Sequence, residues 1–117
     1  MQTRMVTRES WQNFFDSFSR IYTGSRATLE ILSGDLGAQM EVEDVPLTGV
    51  SFDLTGLELH FLTREGHLVH RIASPLRISI EEREDGLIAA IENGSDGDEV
   101  ETILRLMAPI ASRLLRA

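Results

Sequence analysis

The chain has 117 residues, 42% of them hydrophobic; its eleven basic residues are set against 19 carboxylates, for a net charge of -8. This length suits one domain spanning 1–117, and such a chain buries roughly two-thirds of its unfolded surface, enough for a core without metal or disulfide support. Every basic residue is arginine, and cysteine and lysine are both absent. Their absence excludes disulfides, thiolate zinc sites, a P-loop lysine and Schiff-base chemistry.

An acidic surface repels phosphate backbones, which points away from nucleic acid and toward a protein partner of basic character. The opening residues MQTRMVTRESWQ carry no apolar run of signal-peptide length. No segment approaches the roughly 20 apolar residues of a bilayer span. The expectation is a cytoplasmic protein that makes no membrane contact.

The first element is a helix. Trp11, Phe14, Phe15, Phe18, Ile21 and Tyr22 follow the i, i+3, i+4, i+7 spacing of one helical face. Thr7 is placed to cap it, Glu9 favours the positive end of the helix dipole, and Gly24 supplies the stop. Asp16 and Arg20 are spaced for a surface pair. Burying each aromatic contributes about 1.5–3 kcal/mol, so this stripe needs a broad apolar partner, and a sheet provides one.

After Gly24 the period falls to two. Ala27, Leu29 and Ile31 alternate with polar residues, and the run from Ser33 to Gly37 turns the chain. Met40 and Val42 mark a second strand that Pro46 ends or places at an edge. Val50, Phe52 and Leu54 mark a third, up to Gly56, and Leu57, Leu59 and Phe61 a fourth. Arg64 to His67 turns into a strand from Leu68 to Ile72. After Pro75 come Leu76, Ile78 and Ile80, a hairpin tip from Glu81 to Gly86, a strand from Leu87 to Ile91, and a polar loop from Asn93 to Asp98. The segment 100–107 fits strand or helix. Because Pro109 interrupts a continuous helix, we expect a strand over 100–107 and then a short helix from Pro109.

These elements predict an α+β fold in which an amphipathic N-terminal helix packs on a curled antiparallel sheet, or small open barrel, of six to seven strands. The fragments Thr7-Arg8-Glu9-Ser10-Trp11, Phe14-Phe15-Asp16, Phe18-Ser19-Arg20, Gly34-Asp35-Leu36-Gly37-Ala38-Gln39 and Pro46-Leu47-Thr48-Gly49 stand here in this order, followed by His67, His70, Ile72, Pro75 and Leu104-Arg105-Leu106. In this pattern the sequence resembles a family of small bacterial single-domain proteins catalogued as a domain of unknown function. It departs from the family at Thr7, where proline is usual, and near Met107, where the family is less apolar. The resemblance implies a strand near Leu104 and carries no activity with it.

His60, His67 and His70 are the only cluster with ligand-binding or metal-binding potential. Their geometry depends on the hairpin register. A two-residue loop at Glu65-Gly66 sets Phe61 opposite His70 and His60 opposite Arg71; a three-residue loop sets His60 opposite His70, about 5 Å apart at Cβ and close enough to share a metal. An even register keeps Leu59, Phe61, Leu68 and Ile72 on one face, so hydrophobic patterning selects it and separates His60 from His70. No cofactor is expected. The glycines at 34 and 37 resemble a phosphate-gripping GXXG loop, but they lie between strands and flank Asp35, so they serve a turn. The sequence therefore predicts a protein-binding or regulatory domain rather than an enzyme; the alternatives are a small-ligand or metal-binding protein using the three histidines, and a self-assembling module that forms homo-oligomers.

Overall fold

The computed structural model describes residues 2–34, 37–95 and 98–107. In chain order these form β1 (Gln2–Met5), a 3-10 turn (Arg8–Ser10), α1 (Trp11–Tyr22), β2 (Arg26–Ser33), β3 (Gly37–Asp53), β4 (Gly56–Thr63), β5 (Gly66–Ala73), β6 (Arg77–Arg83), β7 (Gly86–Ser95) and β8 (Asp98–Met107). The eight strands make one open antiparallel sheet in the order β1-β6-β7-β8-β2-β3-β4-β5, with β1 and β5 at its edges.

The aromatic stripe is core, as its spacing predicts. Trp11, Phe15 and Phe18 are at most 3% exposed, and Phe14 and Tyr22 pack at the margin of the same cluster. Ile21 departs from expectation and lies in solvent. At about 100° per residue it points roughly 80° away from the centre of the stripe, and Tyr22 occupies the favoured direction instead. Trp11 and Phe15 meet Phe52 of β3 at ring-centroid distances of 5.8 and 6.1 Å. The buried indole Nε1–H of Trp11 donates to the Val6 carbonyl at 2.8 Å, which satisfies its one polar group.

The helix ends differ in how closely they follow the sequence. Thr7 caps the 3-10 turn rather than the α-helix, which starts after Ser10. The expected Asp16–Arg20 pair is replaced by local bonds: Gln12 donates to Asp16 and Arg20 donates to Ser17. Gly24 does stop the helix, with φ at +93°. Its N–H donates to Leu47 O at 2.7 Å, and Leu47 N–H donates to Ser25 O at 2.9 Å, so the helix exit is tied to β3.

Two expected strands are one. The 17-residue β3 pairs with β2 over Gly37–Pro46 and with β4 over Leu47–Asp53. Pro46, expected to end a strand, lies opposite Arg26 at the handover between partners, where the ladder tolerates a missing N–H. Asp44 takes a positive φ of 52° just before it. Arg26 braces this irregularity, donating to the Asp44 carboxylate at 2.9 Å and to its carbonyl. With β1, which its four residues do not betray by any periodicity, the sheet has eight strands rather than six to seven.

Leu54, expected to face inward, is fully exposed in the turn between β3 and β4. The Asp53 carboxylate shapes this turn by accepting from the N–H groups of Thr55 and Gly56 and from the Thr55 hydroxyl. The hairpin tip after β6 shrinks to Glu84-Asp85, and Asn93 to Ser95 belong to β7 rather than to a loop. The strand expected over 100–107 is present as β8; the short helix expected from Pro109 lies outside the described residues.

Candidate functional site: the β4–β5 hairpin

The β4–β5 turn has two residues, Arg64 and Glu65, flanked by the pair Thr63 and Gly66. Gly66 adopts φ +119°, and the Thr63 hydroxyl both donates to the Gly66 carbonyl and accepts from Glu65 N–H. This fixes the even register that hydrophobic patterning favours, one residue earlier than the Glu65-Gly66 loop expected from sequence. The partners shift accordingly: Phe61 faces Leu68 rather than His70, and His60 faces Val69 rather than Arg71.

The inner face of the hairpin carries Leu57, Leu59, Phe61 and Ile72, all at most 2% exposed. His70 lies on this face opposite Leu59 and is half-buried. Desolvation pushes its pKa below the ordinary histidine value, and the Glu41 carboxylate partly offsets that shift.

The outer face brings the other two histidines together. His60 and His67 stand diagonally across the strands, with His60 Nδ1 and His67 Nε2 3.1 Å apart and the rings 5.2 Å apart between centroids. His60 Nε2 faces Glu58 Oε1 at 3.4 Å, and Arg71 Nη1 donates to Glu58 Oε2 at 3.1 Å. Arg71 also donates to the Thr55 hydroxyl, which donates on to Asp53. A polar line thus runs Asp53–Thr55–Arg71–Glu58–His60–His67 over the solvent side of β4 and β5. The Thr55 hydroxyl, the Thr55 and Gly56 N–H groups and the Arg71 charge hold the Asp53 carboxyl below the usual carboxylate range. The direct opposition of His60 and His70 is absent, and His60 meets His67 on the diagonal instead.

A second polar surface was not anticipated. On the outer side of the sheet a depression of about 390 Å³ is lined by Arg26, Thr28, Arg83, Asp85, Arg105 and Met107, among others. Its arginines are paired with Asp44, Glu81 and Glu30 at 2.9, 2.7 and 3.6 Å. These residues stand far apart in sequence, and only the strand order brings them together.

The family of unknown function DUF5335 matches this chain over residues 2–113. The chain belongs to that family. It is also 34% identical over 112 residues to an "Uncharacterized protein" of Aquifex aeolicus (strain VF5), across 94% of this chain and 96% of that protein. The DUF5335 fold seen here is thus an α1 helix on an open antiparallel sheet; no solved structure matches it. Among the described residues no helix is long and apolar enough to cross a membrane.

Proposed function

We propose that this protein is a cytoplasmic binding or regulatory domain that takes up an extended, basic segment of a partner protein as an added strand along β5. The observation that carries this reading is the character of that edge. β5 is eight residues long, ends the strand order and contains no proline, and its one arginine, Arg71, is drawn onto Glu58 of β4 at 3.1 Å. Native edge strands are usually kept short or guarded by such residues, because their free N–H and C=O groups pair with any passing strand. The opposite edge, β1, follows that practice in being only four residues long.

Leu68 and Val69 of β5 and Leu62 of β4 are exposed at 36%, 45% and 52%, so side chains of an added strand would find apolar contacts on both faces. Charge selects the occupant. A second copy carries the same net charge of -8 and is repelled by the molecule as a whole, whereas a basic segment is attracted to it.

Selection from a displayed library of random linear peptides tests this. Enriched peptides are expected to combine alternating apolar residues with Arg or Lys. They should protect the amides of 66–73 from hydrogen exchange and lose affinity on Val69→Lys, which places a cation on the edge. Enrichment without basic residues, protection elsewhere, or pairing of β5 with a second copy in light scattering overturns the reading.

A further inference from the structure

We infer that the outer face of the β4–β5 hairpin is a two-histidine site for a borderline divalent transition metal, ligated by His60 Nδ1 and His67 Nε2. The geometry of the pair is the first ground. Metal–imidazole bonds are about 2.0–2.1 Å long, so two of them span roughly 2.9 Å at a right angle and roughly 3.3 Å at a tetrahedral angle. The two nitrogens stand 3.1 Å apart, between these limits. Either geometry needs ring shifts of only a few tenths of an ångström.

Orientation is the second ground. Both rings stand on paired strands whose register is fixed by the Arg64-Glu65 turn and by the buried row beneath, so the donors are held by rigid elements rather than by a loop. Glu58 lies behind His60, 3.4 Å from Nε2, the arrangement in which a carboxylate takes the far ring proton and leaves the near nitrogen bare. Arg71 and Ser51 in turn hold Glu58, at 3.1 and 3.5 Å. With Nε2–H of His60 directed at Glu58, Nδ1 accepts the Nε2–H of His67. A metal ion takes the place of that shared proton.

The exchange balances without any oxidant or base. The hydrated ion gives up two waters to the two nitrogens, and the ring proton of His67 passes from Nε2 to Nδ1 through solvent. Among the described residues no third His, Cys, Asp or Glu joins the pair to make a closed cage, so water fills the remaining positions. Imidazole ligands with open positions suit copper, nickel and zinc and reject magnesium. The site is independent of strand addition at β5: it uses side chains on the outer face, not the backbone of the edge.

The test is calorimetric titration of the untagged, chelator-stripped full chain with copper(II), nickel(II), zinc and magnesium salts, in parallel with four variants. One ion per chain is expected, tightest for copper, weaker for nickel and zinc, and silent for magnesium. His60→Ala and His67→Ala should each abolish stoichiometric binding, Glu58→Gln should weaken it by about tenfold, and His70→Ala, on the opposite face, should leave it unchanged. Far-UV circular dichroism confirms that each variant is folded, and selective broadening of the His60 and His67 ring resonances by copper(II) locates the ion without any substitution. Binding that survives His67→Ala, binding that falls equally with His70→Ala, or no binding of copper overturns the assignment.

Discussion

The two faces of the β4–β5 hairpin share one backbone and follow opposite rules. On the inner face Leu57, Leu59, Phe61 and Ile72 are sealed from water beside the helix aromatics; on the outer face Glu58, His60, His67 and Arg71 form a chain of polar contacts open to solvent. Because side chains alternate, a one-residue slip would exchange the two sets. The apolar row therefore fixes more than stability. It sets the face that His60 and His67 share and keeps His70 off it, while the Thr63–Gly66 turn selects the pairing that brings the two rings together, so the outer site depends on both the packing beneath it and the turn beside it.

The largest break in this contrast is expected from Phe61→Ala. Phe61 is fully buried and paired with Leu68, and removing its ring should cost about 3–5 kcal/mol in urea unfolding. If the inner face governs the register, this variant should also lose the His60–His67 contact, seen as loss of the cross-peak between the two rings. A smaller effect is expected at the start of β4. Gly56 has φ +153°, and an added Cβ would run into the Ile72 carbonyl oxygen on β5. Gly56→Ala should cost about 1–3 kcal/mol as backbone strain, with the midpoint of urea unfolding reporting it.

Much of this organisation was legible in the sequence because burial writes itself as a period. The 3.6-residue spacing of Trp11, Phe15 and Phe18 and the two-residue spacing of Leu57, Leu59 and Phe61 identified the roof and the floor of the core. What stayed hidden depends on neighbours that the local pattern does not encode. Pro46 looked like the end of a strand because the handover of β3 from β2 to β4 is a property of three strands together. Gln2–Met5 showed no alternation because an edge strand over β6 contributes little to the core. The pairing of His60 with His67 required the tip to be placed at Arg64-Glu65, one residue from where the glycine suggested it, a choice made by the Thr63 hydroxyl. The arginines of the outer depression were invisible for the same reason: 26, 83 and 105 become neighbours only through the strand order.

His70 sharpens the contrast between the faces through pH. Half-buried on the inner side, it has a folded-state pKa below its ordinary value of 6.5, with desolvation as the leading cause. The folded state therefore resists protonation, and the unfolded chain binds the proton first. Stability from this residue is present above pH 6.5 and is lost as pH falls through that value toward the folded pKa. Urea unfolding of the wild-type chain should show a decline on that acid side which His70→Leu reduces. An equal decline in the variant would assign the acid sensitivity to other groups.

The smallest stability effect is expected one strand position from the tip, at His67→Ala. Its ring is exposed, and its only polar side-chain contact among the described residues is with His60, so removal should change unfolding stability by no more than about 0.5 kcal/mol. Phe61 lies one pair away on the opposite face and should cost several times more. That ratio separates the two roles: if the hairpin depended on the histidine pair for its register, His67→Ala would approach the cost of Phe61→Ala, and the outer face would be part of the scaffold. A small loss of stability would instead mean that the inner row holds the register by itself and that the imidazoles of the outer face are free to take a ligand.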